Sequence, residues 1–234
     1  MKIFVAMPVF DGKLPLQTAS SMLQEQLLAG QNGHELLFCF LPSCSVPAAG
    51  RNQLVQEFLD TDCDRLVFLD SDISFPTGSL LKVAAQPADF VGGCYRYKTE
   101  QENYPISWAN QGEVWANKDG LIEVAAIPTG FLAISRSVFE KFQEKFPERH
   151  TDFHGKPQFC YFQSLFADGK EWSEDTYFCK EWREMGGKVY LDPEITLYHW
   201  ENKYIAHEGH IGDWVKRTTK ATNEERANGQ EKSI

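Results

Sequence analysis

Two aspartates that follow an apolar run are the residues of this chain best suited to chemistry. Leu66 to Leu69 form an uninterrupted apolar segment, and Asp70-Ser71-Asp72 come directly after it. Such a run predicts a parallel strand buried on both faces, and ligands of open α/β sheets bind beyond the carboxyl ends of such strands. Two carboxylates one residue apart suit Mg²⁺ or Mn²⁺, which would also hold the phosphates of a substrate. The alternative is a polar strand end that caps the next helix.

Two further charged features lie at the starts of predicted helices. Arg51 falls in the first turn of the second helix, where a guanidinium and the helix amides together suit a phosphate or a nucleobase carbonyl. Glu174-Asp175 fall in the first turn of a later helix, where the helix dipole favours acidic residues in any case. Arg51 could equally be a surface residue, and the acidic pair could serve only as a helix cap.

Three histidines near the end of the chain are candidate metal ligands. His199 ends an apolar strand in which Ile195 and Leu197 share its face, and His207 and His210 follow in a polar stretch that contains a glycine. Imidazole is a common partner of carboxylates on Mn²⁺. A histidine at a strand end can also be an ordinary hydrogen-bonded polar residue.

The pattern of the chain predicts an α/β fold that would position these residues. Up to Gly93 it alternates strands and helices, the first helix being marked by Leu16, Ala19, Leu23 and Leu27 at helical spacing, which predicts a mostly parallel sheet flanked by helices. The second half predicts a smaller β region and two helices. Residues 147–171 have no periodicity but many aromatic residues, which favours a functional loop. From Lys216 onward we expect a frayed polar tail, 216–234.

Composition narrows the class of protein. The chain has 234 residues, of which 42% are hydrophobic and 24% charged, as in soluble globular proteins. A net charge of −10 argues against broad electrostatic binding to nucleic acid or anionic lipid, so an anionic substrate would need a local cation. The six cysteines contain no Cys-x-x-Cys pair and read as reduced residues. We find neither a signal peptide nor a membrane span, and expect a cytoplasmic protein.

Several short blocks of the sequence resemble those of a known family. Val67 to Asp72, followed by Phe90-Val91-Gly92-Gly93, is similar to the donor half of GT-A-type glycosyltransferases. Four later blocks are similar to the acceptor half of that family: Glu174 to Cys179, Gly186-Gly187, Leu191-Asp192-Pro193 and Leu197-Tyr198-His199. The likeness is greatest to short bacterial and bacteriophage members. It implies one GT-A domain over residues 1–215, with a nucleotide-binding half (1–98) and an acceptor half (99–215).

The resemblance also implies roles for individual residues. It assigns the metal to Asp70, Asp72 and His199, and the donor to a set formed by Pro8, Val9, Arg51, Asp70, Ser71, Asp72 and Gly130. Asp175 matches the acidic residue that faces the acceptor, where it would act as a base or orient the hydroxyl. Mn²⁺ or Mg²⁺, a UDP- or GDP-sugar and a glycan, lipid-linked or other hydroxyl acceptor would be the partners, without nucleic acid. Because no glycine soon follows His199, His207 or His210 could be the third ligand instead.

Two other classes of function compete with this one. A haloacid-dehalogenase-type phosphatase also places Asp-x-Asp after a strand, but on the first strand of its core, whereas two strands and two helices precede Asp70 here. A non-catalytic GT-A-like protein that binds nucleotide or glycan is the second alternative. Joint retention of Asp70, Asp72, Asp175 and His199 argues against loss of activity.

Overall fold

A mixed β-sheet lies at the centre of the chain and carries helices on both faces. The computed structural model describes residues 1–43, 45–110, 114–153, 155–167, 169–201 and 205–227. The helices are α1 (Leu16–Gln31), α2 (Pro47–Leu59), α3 (Ser79–Ala85), α4 (Arg136–Lys145), α5 (Glu174–Glu184) and α6 (Ile211–Ala227), with a 3-10 turn at Pro147–Arg149. The strands are β1 (Lys2–Val9), β2 (Glu35–Pro42), β3 (Arg65–Leu69), β4 (Ile73–Ser74), β5 (Phe90–Gly92), β6 (Ser107–Trp108), β7 (Ile122–Ala126), β8 (Phe131–Ser135), β9 (His150–Phe153), β10 (Lys156–Phe159), β11 (Leu165–Ala167), β12 (Lys170–Trp172), β13 (Val189–Leu191), β14 (Thr196–Trp200) and β15 (Ala206–His210).

Strand direction explains which chain segments meet at one edge of the sheet. Eight of the described strands join in the order β2-β1-β3-β8-β5-β13-β7-β6. Among these, only β8 and β7 run against both of their neighbours, so the other six share one direction. The carboxyl ends of β1, β3 and β5 therefore lie at the same edge as the start of β8. The predicted fold class, a mostly parallel central sheet flanked by helices, is confirmed.

The central strand β3 is buried on both faces, as its apolar run predicted. Leu66 and Phe68 belong to a core cluster that includes apolar residues of α2, α4 and α5. Val67 and Leu69 belong to a second cluster with residues of α1 and α3. Because neighbouring side chains of a strand point to opposite faces, this single strand anchors both helical layers. Asp70 therefore directly follows the carboxyl end of a strand that is buried on both faces.

Helix α1 forms where the leucine spacing predicted it, but those leucines do not make up its buried face. Leu16, Leu23 and Leu27 are 80%, 73% and 66% exposed. The face that packs inward includes Glu25, which is fully buried. Its carboxylate accepts hydrogen bonds from the backbone nitrogens of Gly78 (2.6 Å) and Leu81 (2.8 Å) at the start of α3. Capping a neighbouring helix thus outweighs leucine burial at this position.

The expectation that residues 147–171 form an irregular loop is wrong. The described part of this segment contains the 3-10 turn, the hairpin β9–β10 and the hairpin β11–β12, whose last strand ends at Trp172. Phe159, Tyr161 and Phe162 are at most 1% exposed and belong to the main core. Phe166, on β11, is instead 81% exposed. Most of the aromatic richness thus serves core packing, since these rings fill space between α4 and α5.

The expected frayed tail is helical as far as the structure describes it. Helix α6 continues to Ala227. Ile211 is fully buried and the Trp214 ring packs 5.3 Å from that of Tyr104, so the first turns are anchored and the polar residues after Lys216 extend a formed helix. The remainder of the predicted tail, 228–234, lies outside the described residues.

The described cysteines are all free, and Cys44 lies outside the described residues. None of the helices in the described part of the chain is both long enough and apolar enough to cross a membrane.

Candidate active site

Asp70 and Gly130 meet at the carboxyl edge of the central sheet. Asp70 follows β3 and Gly130 precedes β8, its antiparallel neighbour, and the backbone nitrogen of Asp70 donates to the carbonyl oxygen of Gly130 at 3.0 Å. A Cβ atom on residue 130 would lie 2.7 Å from Asp70 Oδ2 and 2.4 Å from Tyr95 Cε1. A Cβ atom essentially never lies so close to other heavy atoms. Glycine at position 130 is therefore what allows Asp70 and Tyr95 to pack so closely against its backbone.

Arg51 links Asp70 to the beginning of α5. Its Nη2 donates to Asp70 Oδ1 at 3.2 Å, and its Nε lies 3.5 Å from Glu174 Oε1, within ion-pair distance but without hydrogen-bond geometry. The guanidinium lies 5.5 Å from the centroid of the Phe68 ring. Burial opposes its charge, but the two carboxylates outweigh burial and raise the pKa of Arg51. Arg51 therefore holds the Asp70 carboxylate through an ion pair. The buried Nη1 of Arg51 has no hydrogen-bond partner among the described residues.

Asp72 lies beside His199, as the predicted metal site requires. The short strand β4 follows Asp72 and pairs antiparallel with β14, so that Ile73 faces His199 in the register. The backbone nitrogen of Trp200 extends this pairing by donating to the carbonyl oxygen of Asp72 at 2.9 Å. His199 Nε2 then lies 3.4 Å from Asp72 Oδ2. Backbone pairing thus brings these two side chains together, although 127 positions separate them in the sequence.

The same Asp72 oxygen contacts a lysine. Lys98 Nζ lies 2.5 Å from Asp72 Oδ2. Burial by itself would raise the pKa of Asp72, but the contacts with His199 and Lys98 outweigh it and lower the pKa to about 2. Asp72 is therefore a carboxylate at neutral pH, with two nitrogen groups directed at one oxygen.

The hydrogen bond of His199 to the backbone defines how its ring faces Asp72. Nδ1 lies 2.9 Å from the carbonyl oxygen of Arg96, which can only accept, so Nδ1 carries the proton. When Nε2 carries a second proton, it donates to the Asp72 carboxylate; in the neutral ring Nε2 is an acceptor whose lone pair faces that carboxylate. Two acceptors directed at one another require a cation or a proton between them. The Tyr95 ring, 4.6 Å from the imidazole between centroids, packs against it and limits its movement.

The chemistry of this donor set fits a divalent ion that is shared with a substrate. Asp72 Oδ2 and His199 Nε2 converge, whereas Asp70 is directed to Arg51. No group of three or more His, Cys, Asp and Glu side chains in the described residues is arranged to hold a metal by itself. Mg²⁺ and similar ions commonly take one or two protein ligands and complete their shell with phosphate oxygens and water. The pair Asp72 and His199 suits an ion held jointly with a diphosphate.

Asp175 is held by its own helix start. Its Oδ1 accepts hydrogen bonds from Ser173 Oγ at 2.5 Å and from the backbone nitrogen of Thr176 at 2.7 Å. The neighbouring Glu174 is the residue paired with Arg51, so the start of α5 lies next to the Asp70 edge of the sheet. Sequence reasoning placed both acids in this turn, and the structure shows Glu174 as the one that contacts Arg51.

The remaining predicted residues lie at different distances from this centre. Pro8 and Val9 end β1, which is parallel to β3 and directly beside it, so they lie at the same edge. Ser71 is partly exposed in the turn between the two aspartates. His207 faces His199 across the β14–β15 pair and contacts Glu201, while His210 lies opposite Thr196 and contacts Asp213. Of the three histidines, His199 is the one paired with Asp72.

Sequence reasoning missed Tyr95 and Lys98, which both contact residues of the site. Their segment follows β5, another strand whose carboxyl end lies at this edge. The signal was present, because polar residues directly after any parallel strand face the ligand crevice. It was too general to single out these two among the residues that follow Gly93.

Comparisons with known proteins identify the fold. No protein-family model and no curated protein matches the chain. Among solved structures, it is similar to A197 from STIV, with a TM-score of 0.56 and 22% identity over 88% of each chain. This likeness shows the fold alone, an α/β fold with a mostly parallel central sheet flanked by helices. The chain is less similar to the catalytic domain of Drosophila beta1,4-galactosyltransferase 7, solved with xylobiose. That comparison has a TM-score of 0.48 and 13% identity, and it covers 90% of this chain and 70% of the other.

Proposed function

We propose that this protein is a glycosyltransferase that moves a hexose from a UDP- or GDP-sugar to a hydroxyl group of a glycan, lipid-linked or other acceptor. The observation that carries this proposal is the convergence of Asp72 Oδ2 and His199 Nε2, 3.4 Å apart, beside Asp70 and Gly130. Such a pair of ligands leaves further coordination positions of the ion to water or to substrate oxygens, and a nucleoside diphosphate can supply such oxygens. The crevice lies where open α/β sheets bind ligands.

In this proposal Asp72 and His199 hold Mn²⁺ or Mg²⁺. The bound ion would stabilise the charge that develops on the leaving nucleoside diphosphate. Asp70, which Arg51 holds in one orientation, is then placed to accept a hydrogen bond from the donor ribose. Because its net charge is −10, the protein as a whole would repel a diphosphate. The local cations would provide the attraction that such a substrate needs. Ser71, Pro8 and Val9 complete the donor side.

The acceptor side is assigned to the second half of the chain. Asp175 would take the proton of the attacking hydroxyl or orient that hydroxyl, with its Oδ1 held by Ser173 and Thr176. Gly130, against which Asp70 and Tyr95 pack closely, would face the donor sugar, as the family resemblance implies. A cavity of about 740 Å³ beside α5 is lined in part by Trp172, Thr176 and Lys180, which are close to Asp175 in the sequence. An aromatic ring beside such a groove suits the face of a sugar.

A donor panel tests the proposal. The purified chain is incubated with UDP- and GDP-sugars, Mn²⁺ and a mixture of glycan acceptors, and release of UDP or GDP is followed together with the mass of the acceptors. We expect release from at least one donor, with slow hydrolysis in the absence of acceptor, and loss of both with Asp72→Asn. Release of phosphate from phosphomonoesters, with no nucleotide release from any sugar donor, would instead indicate the phosphatase alternative.

A further inference from the structure

We infer that Lys98 is a diphosphate-binding residue that occupies the cation position at Asp72 until metal and donor bind together. This inference rests on the proposed function and concerns a residue that the sequence did not single out. Lys98 Nζ is 2.5 Å from Asp72 Oδ2, the oxygen that His199 Nε2 approaches to 3.4 Å. The ammonium therefore contacts the carboxylate oxygen that a metal ion bound by Asp72 and His199 would need.

Two cations cannot share this oxygen at little cost. An ion bound to Asp72 Oδ2 would lie within a few ångströms of the Lys98 ammonium, and like charges at that distance repel strongly where water is partly excluded. Lys98 must therefore leave Asp72 when the ion binds. Its side chain is 30% exposed, so the ammonium can reach the open crevice without unfolding its surroundings.

The backbone that carries Lys98 is tied down, so only its side chain needs to move. The Arg96 guanidinium donates to the carbonyl oxygens of Thr99 (2.8 Å) and Glu100 (3.0 Å). The backbone nitrogen of Tyr97 donates to the carbonyl oxygen of Asn103 at 2.9 Å. Because the Arg96 carbonyl also accepts from His199, this loop and the imidazole are positioned together.

Charge indicates where the displaced ammonium goes. Among the described residues, Arg51 and Lys98 are the Lys and Arg side chains paired with Asp70 and Asp72, and Arg51 is only 7% exposed. A diphosphate bound through the ion at Asp72 would bring anionic oxygens within reach of Lys98, and ammonium groups bind phosphate as compact point charges. Lys98 thus exchanges one anionic partner for another. Metal and diphosphate then bind cooperatively, because each is weakened when Lys98 remains on Asp72.

The test compares Lys98→Met, Lys98→Arg and the control Lys2→Met by calorimetric titration. Lys2 pairs with Asp62 at the same 2.5 Å distance but lies at the start of β1, on the opposite edge of the sheet. Mn²⁺ is titrated alone, and UDP and GDP are titrated at saturating Mn²⁺. Thermal unfolding of each variant confirms that it is folded.

Removal of the ammonium should change the two affinities in opposite directions. We expect Lys98→Met to bind Mn²⁺ alone about tenfold more tightly and the nucleotide at least tenfold more weakly, while Lys98→Arg keeps most of the nucleotide affinity and Lys2→Met matches wild type. Unchanged affinities in Lys98→Met, or weaker binding of Mn²⁺ alone, would overturn this inference and leave the proposed function standing. Wild-type protein that binds neither nucleotide would overturn both.

Discussion

The backbone nitrogen of Trp200 donates a hydrogen bond to the carbonyl oxygen of Asp72 at 2.9 Å. This bond joins the end of β14 to the turn that carries the two aspartates, and so fixes His199 beside Asp72 through the main chain. The indole of Trp200 adds a second link by donating to Ser74 Oγ at 2.9 Å. Residues from the two halves of the chain therefore form one centre only when β14 pairs with β4.

Replacing His199 by alanine should weaken the response to metal. The change removes the nitrogen that faces Asp72, so the Mn²⁺ concentration needed for half-maximal nucleotide binding should rise about tenfold or more. His207→Ala and His210→Ala are the controls, because those side chains contact Glu201 and Asp213. A larger effect of His210→Ala than of His199→Ala would show that the histidine ligand has been assigned wrongly.

Replacing Gly130 by alanine should disturb Asp70 directly. The added Cβ would lie 2.7 Å from Asp70 Oδ2, which forces the carboxylate or the start of β8 to shift. We expect a loss of about 1–3 kcal/mol in the free energy of unfolding, together with loss of nucleotide binding. Gly30→Ala, in α1 with no atom within 4 Å of the added Cβ, should be neutral or slightly stabilising. Equal behaviour of the two variants in both measurements would contradict the close contact at Gly130.

Removing the Arg51 charge should destabilise the fold as well as the site. Arg51→Met would leave Asp70 and Glu174, which are 24% and 15% exposed, without their shared cation. Breaking a largely buried pair costs roughly 3 kcal/mol, and chemical denaturation measures it. Arg217→Met, which removes an exposed pair with Glu102, should cost less than about 1 kcal/mol. If Arg51→Met is no more harmful than Arg217→Met, Arg51 does not brace the two carboxylates.

The sequence was informative where one local rule dominated. The apolar run before Asp70 predicted both the buried strand β3 and the edge where the site lies, because burial on two faces leaves a distinct signature. The sequence pattern did not predict which residues of α1 and of the segment 147–171 are buried, because distant parts of the chain decide this. In α1 the deciding contacts are those of Glu25 with α3. In 147–171 it is the space between α4 and α5, which Tyr161 and Phe162 fill. The positions of Lys98 and Tyr95 depend on how the loop after β5 returns to the carboxyl edge of the sheet, and no spacing of residues in the sequence encodes that path.

The hairpin β11–β12 should affect the acceptor and not the donor. Phe166 is its exposed aromatic residue, and we expect Phe166→Ser to lower kcat/KM for the acceptor about two- to twelvefold, as loss of an aromatic contact worth about 0.5–1.5 kcal/mol would do. Affinity for the nucleotide should not change. Trp115→Ser, at a 74% exposed aromatic residue elsewhere on the chain, is the matched control. An equal loss in both variants would mean that Phe166 has no particular role in acceptor binding.

Calorimetric titration of UDP and GDP shows whether Asp72 binds a nucleoside diphosphate through a divalent ion. Wild-type protein and Asp72→Asn are compared in Mn²⁺ and in excess chelator, after thermal unfolding has shown that both are folded. We predict saturable binding of one nucleotide by wild-type protein in Mn²⁺, weakened at least tenfold by the chelator and to the same extent by Asp72→Asn. Equal affinity under all these conditions, or no binding of either nucleotide to wild-type protein in Mn²⁺, would mean that Asp72 does not bind a nucleoside diphosphate through a metal ion.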